Sequence, residues 1–225
     1  MKPTMRNLYQ FIRDTVHVLL YGNLDSSDFV ILEDKGVVFA SVAKSACSSI
    51  KTSITEEPPE GHTIHYHTRG LSHKRIPKSK KSYFTFTYVR DPYGRLASCY
   101  RSKFNKEDKS KFIYTHYLFG YLRNNDTFED FVRKVSRIPD SMSDRHFKSQ
   151  HSIIFSHGAK IDYVGKVEDL PSDFEDIRRR YGFDELKILN KSSGKSADEL
   201  FTTETREITY ERFKKDFELF GYNKE

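Results

Sequence analysis

The stretch "VVFASVAKSACSSIKTSI", residues 37–54, decides the fold. Its first part, Val37 to Val42, is an apolar and small-residue run of strand length, as a strand buried on both faces requires. In its last part Ala46 or Cys47, Ile50 and Ile54 recur at helical spacing and form a core face. Lys44 and a cluster of hydroxyls stand at the joint. With a helix beginning near Ala46, Ser48 and Ser49 fall on the exposed first turn, beside N–H groups that have no acceptor within the helix. A lysine next to such a turn suits a terminal tetrahedral anion, because the cation neutralises charge while amides and hydroxyls hold the oxygens.

Outward from this joint, strands alternate with helices. "DFVILED" (28–34) and "GVVFASV" (36–42) read as strands turning at Lys35-Gly36, and the helix after Lys44 stops at "EEPPEG" (56–61). "YFTFTYV" (83–89) is a third strand, followed at once by a helix from Pro92. Helical periodicity dominates from about residue 108 to 138, with Thr127 as a cap for the segment "FEDFVRKVSRI". "IDYVGKV" (161–167) is a later strand, and two helices follow, each closing on a glycine, Gly182 and Gly221. The pattern predicts an α/β domain with a central, mainly parallel sheet covered by helices. With no Pro/Gly/Ser-rich linker, one domain is expected over residues 1–225. Residues 1–25 supply an amphipathic helix whose Leu8, Phe11, Ile12 and Leu19 share one face, expected to pack onto the domain.

In such a sheet, ligands bind beyond the carboxyl ends of the strands. The second joint there is "VRDPYGRLASCYRSKF" (89–104). Arg90 ends the strand, Asp91 is a good N-cap, and Pro92 fits the first helical position. Leu96, Cys99, Tyr100 and Phe104 make the buried stripe of the helix, which turns Ser98 away from the core. Arg90 and Ser98 are therefore candidates for a second anionic group. Either Lys44 or Arg90 alone is as readily an ordinary exposed cation; their shared context at two strand ends is what points to a ligand with two separated anionic groups.

Composition agrees with an anionic partner. Lysine and arginine number 38 against 32 aspartates and glutamates, giving a net charge of +6. Cys47 and Cys99 are the only cysteines, too few and too isolated for a disulfide scaffold or a zinc site, and a reducing compartment is the simpler reading. The N-terminal segment carries Arg6, Arg13, Asp14 and His17 and never reaches the roughly 18 consecutive apolar residues of a membrane span. A nucleotide triphosphatase loop would require G-x-x-x-x-G-K-[ST], and "SVAKSACSS" has no glycine. A nucleic-acid binder would interleave basic residues with exposed aromatics, whereas the aromatics here follow core periodicity.

The lysine loop with its helix, "VRDPYGRLASCYRSKF", and the segments "HFKSQ", "DYVGKVEDLPSDFEDI" and "ERFKKDFELFGY" resemble, in this order, the sulfotransferase family 2 of chondroitin and heparan 2-O-sulfotransferase type. The resemblance runs from about residue 37 to 222. It implies the P-loop-like fold of sulfotransferases that use 3′-phosphoadenosine 5′-phosphosulfate (PAPS), a donor with two separated anionic groups. By this resemblance Lys44, Ser45, Ala46, Cys47, Ser48 and Ser49 bind the 5′-phosphosulfate, and Arg90 with Ser98 binds the 3′-phosphate. The family's proline before the lysine is replaced by Ala43, which implies a less rigid loop. Animal members are Golgi enzymes with an N-terminal anchor and luminal disulfides. With neither read here, the resemblance implies a soluble, prokaryotic-type relative in the cytoplasm.

Sulfuryl transfer asks for a base to take the acceptor hydroxyl's proton and a cation at the leaving oxygen. Lys44 suits the second role, and no metal is required because a sulfuryl group carries little charge. "HTIHYH" (62–67) supplies His62, His65 and His67. On an extended segment His65 and His67 point the same way, and the heparan 2-O-sulfotransferase branch carries a similar pair about this far before its arginine joint. That likeness makes His67 the expected base and His65 an orienting or substitute group, with Glu56 and Glu168 as alternatives. A zinc site of the three histidines lacks a nearby cysteine or acid to complete it.

"RGLSHKRIPKSKK" (69–81) holds six lysines and arginines and no acid, as either a solvated loop or a surface that receives an anionic glycan. "NKSSGKS" (190–196) reads as a flexible polar loop that could close over donor or acceptor. The expected acceptor is a carbohydrate hydroxyl. The alternatives are a lipid, protein or small-molecule hydroxyl, or a non-catalytic module that binds nucleotide or polyanion.

Overall fold

Alternating burial along β1 (Asp28–Leu32) and β2 (Val37–Ser41) builds the first sheet pair. Phe29, Ile31, Val38 and Ala40 face one side, while Val30, Leu32, Val37 and Phe39 face the other. Because both faces are covered, nearly every residue of the two strands is buried. The computed structural model describes residues 5–104, 112–187, 189 and 197–224. The chain divides into two compact units: one is Ser26–Asp91 with Gln150–Lys191, the other Met1–Asp25 with Pro92–Ser149 and Ser192–Glu225.

The first unit holds a five-stranded sheet in the order β3-β1-β2-β4-β5, with β3 at Ser72–His73, β4 at Phe84–Val89 and β5 at Tyr163–Lys166. β1 and β2 form the expected antiparallel hairpin, pairing Leu32 with Val37 beside the turn, where Gly36 takes a φ of 62°. β3 adds antiparallel to β1. β2, β4 and β5 run parallel, with Val38 opposite Thr85 and Tyr88 opposite Gly165. The sheet is thus mixed, and its parallel half brings the carboxyl ends of three strands to one edge.

On one face lie α2 (Cys47–Ile54), through Ile50 and Ile54, and α7 (Leu170–Tyr181), through Leu170, Phe174 and Ile177. The same unit contains the short helices α3 (Ile64–His67) and α6 (Gln150–Ile154). Under α7 the Tyr163 hydroxyl donates to Asp173 beside the buried Tyr88. Burial, reinforced by that carboxylate, pushes the Tyr163 phenol up to about 12. Gly165 lies against this group: a Cβ there would meet Tyr88 Cε1 at 2.3 Å and Asp173 Oδ2 at 2.5 Å.

The second unit is helical, with α1 (Met5–Tyr21), α4 (Pro92–Lys103), α5 (Phe128–Ser136), α8 (Ala197–Leu200) and α9 (Thr203–Phe220). Its core is aromatic: Phe131 packs on Phe104 with ring centroids 4.8 Å apart, and Tyr93 on Phe217 at 5.0 Å. Thr127 caps α5 in a full capping box with Asp130, and Thr202 with Thr205 does the same for α9. Arg95 is buried, and its guanidinium donates to the carbonyls of Lys148 (2.7 Å) and Arg145 (2.9 Å).

Two expectations are corrected in this unit. The helical periodicity expected before Thr127 does not become a helix over residues 112–126. Leu118 and Phe119 take left-handed φ values of 44° and 61°, and Tyr114 and Tyr117 enter the core from turns. The aromatic spacing there reflects core filling rather than one helical face; residues 105–111 lie outside the described residues. The other correction concerns α1, whose buried residues are Asn7 and Asp14. Phe11 does pack, 4.3 Å from Phe119, but Leu8, Ile12 and Leu19 are exposed. A polar partner accounts for Asn7, whose Oδ1 lies 2.5 Å from His116 Nδ1, while Asp14 accepts from Arg13 and Gln10 of the same helix. No helix among the described residues is long and apolar enough to cross a membrane.

Candidate active site

The loop between β2 and α2 gets its shape from two residues in an uncommon backbone region. Lys44 and Ala46 have φ values of 68° and 54°, where an L side chain costs roughly 1–2 kcal/mol. A glycine-rich loop reaches such conformations without that cost; here the surrounding contacts impose them. Ser45, between them, is fully buried: its N–H donates to Val42 O at 3.2 Å and its hydroxyl to Gln150 Oε1 at 3.1 Å. Its side chain therefore holds the loop down.

α2 then starts without a cap. Ala46 is its N-cap residue and offers no side-chain hydrogen bond, and the first intrahelical bond is Ile50 N–H to Ala46 O at 3.1 Å. The N–H groups of Cys47, Ser48 and Ser49 precede that bond and have no acceptor within the helix. They carry the positive end of the helix dipole, a ready anion site.

Ser48, expected on an exposed first turn, is half-buried there, and its Oγ lies 3.3 Å from His65 Nε2. Ser49 differs from the expectation of an exposed first turn. It is buried, and its Oγ accepts the N–H of Leu189 at 2.9 Å. Ser53, one turn on, donates to Asp184 O at 2.5 Å, so these two serines hold Asp184 and Leu189 against α2. Lys51 is buried as well, ion-paired with Asp28 at 2.6 Å, and belongs to the support of the helix.

Arg90 follows β4 at the same sheet edge. Its guanidinium Nη1 donates to Lys44 O at 3.4 Å, which ties Arg90 to the backbone of the lysine loop. Gln150 holds the backbone on both sides of this residue, accepting from Arg90 N at 3.0 Å and donating to Arg90 O at 2.8 Å. Beyond β5, Glu168 Oε1 accepts the N–H of Asp91 at 3.0 Å. That bond occupies Glu168 in positioning and weakens its candidacy as the base. Glu56 follows the far end of α2, a helix about 12 Å long, and is equally displaced. Ser98 lies on α4 in the helical unit and is buried rather than merely turned from the core.

The histidines are not on an extended segment. Ile64–His67 is one helical turn, started by Thr63, whose hydroxyl accepts the Tyr66 N–H at 3.3 Å. Residues two apart on a helix project about 200° from each other, so His65 and His67 point to different sides. His65 is exposed beside Ser48, His67 is half-buried, and His62 stacks on Tyr66 at 5.0 Å. The "NKSSGKS" segment at 190–196 lies outside the described residues. Sequence reasoning passed over Gln150; a lone glutamine opening a short helix looks like surface, and only its place in "HFKSQ" marked it.

An uncapped helix start after a parallel strand, flanked by a lysine, an arginine and a histidine, is an arrangement chemically suited to an anion in an α/β fold. The model of the sulfotransferase family matches residues 27–223, and the chain belongs to that family and is a transferase. Carbohydrate sulfotransferase 11 of Rattus norvegicus is 27% identical over 243 residues, covering 88% of this chain and 68% of its own. Carbohydrate sulfotransferase 10 of Mus musculus is 30% identical over 206 residues, covering 76% and 58%. Carbohydrate sulfotransferase 14 of Danio rerio is 30% identical over 174 residues, covering 68% and 47%. The chain thus spans about half to two thirds of these relatives' lengths. No solved structure matches it.

Proposed function

We propose that this sulfotransferase moves the sulfuryl group of PAPS to a hydroxyl of a carbohydrate acceptor, using a P-loop-like strand-to-helix turn and a histidine base. The observation that carries the reading is the uncapped first turn of α2 with Lys44 and Arg90 around its loop. The amides of Cys47, Ser48 and Ser49 and the Lys44 ammonium fit a terminal phosphosulfate, and Arg90 fits the 3′-phosphate. PAPS supplies an activated sulfuryl group whose leaving phosphate is stable. The chain's own residues hold that phosphate, balance its charge and take the acceptor proton.

His65 is the better placed base, since its Nε2 reaches the Ser48 hydroxyl at the turn where the transferring group would sit. His67 is retained as the alternative. The relatives named carbohydrate sulfotransferases support a carbohydrate acceptor. Arg69, Arg75, Lys78 and Lys81, exposed around the edge strand β3, favour an anionic one.

The test uses purified protein and two nucleotides. Adenosine 3′,5′-bisphosphate is expected to raise the melting temperature well beyond AMP. Equal shifts would remove the 3′-phosphate pocket. Labelled PAPS with a panel of glycans, read by mass, then identifies the acceptor. Transfer only to lipid, protein or small-molecule hydroxyls would replace the carbohydrate reading.

A further inference from the structure

Gln150 stands where the sheet runs out. The β2–β4 pairing ends at Ala40 opposite Thr87, after which β2 turns away into the Lys44 loop while β4 continues to Val89. The N–H and C=O of Arg90 lie beyond that ladder, and a buried peptide group without partners is costly. The side-chain amide of Gln150 takes the missing strand's place, accepting from Arg90 N and donating to Arg90 O. The same Oε1 also accepts the Ser45 hydroxyl, inside the loop between Lys44 and Ala46. Gln150 is wholly buried, and Ser45 with it. One amide therefore bonds to both strand-to-helix joints.

We propose that Gln150 is a positioning residue that sets the spacing between the two anion-binding joints, so that a ligand with both anionic groups is held by both at once. The inference rests on the donor reading given above. Gln150 touches no ligand itself; it acts through Ser45 and Arg90. Two binding groups held at a fixed separation act on a two-anion ligand with a high effective concentration, an advantage a one-anion ligand does not receive. Loss of the amide should therefore damage selectivity for the two-anion ligand more than anion binding as such. A purely structural role would weaken both ligands alike.

The experiment compares adenosine 3′,5′-bisphosphate with AMP on the full chain, by calorimetry, in wild type, Gln150→Met and Gln150→Glu. Gln150→Met keeps the volume and removes the amide's bonds to Ser45 and Arg90. It is expected to weaken bisphosphate binding on the order of 10- to 100-fold, the scale of losing buried hydrogen bonds, with AMP changed about threefold or less. Gln150→Glu serves as the internal rescue. Its carboxylate accepts from Ser45 and Arg90 N but cannot donate to Arg90 O, whereas the protonated acid can. Bisphosphate selectivity in this variant should therefore recover as pH falls, relative to wild type at each pH. Should Gln150→Met not fold, the pH course of Gln150→Glu decides alone. A wild type that does not distinguish the nucleotides overturns the donor reading and the clamp with it. A wild type that does, beside variants of unchanged or pH-independent selectivity, overturns the clamp alone.

Discussion

Two kinds of helix start occur in this chain. α5 and α9 open on complete capping boxes, Thr127 with Asp130 and Thr202 with Thr205, in which side chains of the helix itself occupy the first-turn donors. α2 opens on Ala46, which has no oxygen to offer and sits in a left-handed conformation. The first kind is finished by the sequence alone, and the helix gains about 1 kcal/mol from its cap. The second is left incomplete next to Lys44 and Arg90. On the proposed reading, the turn left open is the one that a bound anion would complete.

The sharpest way to break that contrast is through chemistry at the open turn. His65→Ala should lower turnover by roughly 10²- to 10⁴-fold while leaving adenosine 3′,5′-bisphosphate affinity nearly intact, measured by steady-state kinetics beside calorimetry. If His67→Ala shows that loss instead, the two histidines exchange roles. Arg90→Ala comes next, with bisphosphate binding weakened by about 1.5–3 kcal/mol, the range for a hydrogen bond to a charged group. AMP binding unchanged in the same variant would place Arg90 at the 3′-phosphate, and a uniform loss would not. At the closed turn, Thr127→Ala should cost about 1 kcal/mol in urea unfolding without touching nucleotide affinity. The smallest effect belongs to Ala46→Gly. Relief of the left-handed strain, less the greater freedom of glycine in the unfolded chain, predicts a net gain of roughly 0.5 kcal/mol.

Much of this contrast was legible in the residues. Thr127 announced its cap, Gly182 and Gly221 announced helix ends, and the run from Val37 to Ile54 announced a buried strand passing into a helix. What sequence spacing could not supply was direction. Ser49 occupies a first-turn position, yet it faces residue 189 because a second segment lies along α2. Leu8, Ile12 and Leu19 form an apolar stripe, yet α1 is held through Asn7 on His116 and Phe11 on Phe119, a side that the stripe does not mark. His65 and His67 were assigned a common side through a strand period that a single helical turn replaces. Gln150 carried no local signal beyond its place in "HFKSQ", because its partners are 60 and 105 residues away.

The contact at Gly165 carries a lesson about inheritance. Tyr88 Cε1 and Asp173 Oδ2 crowd the space a Cβ would fill, and Asp173 in turn receives the Tyr163 hydroxyl. Three separated stretches of the gene are thereby bound into one unit of variation. No single codon change at position 165 adds a side chain without a collision, so tolerated drift there must begin elsewhere, with a smaller side chain at 88 or at 173. In a collection of descendants, then, an alanine or serine at 165 should arrive only in company with a changed residue at one of those two positions, and lineages that keep both should keep the glycine.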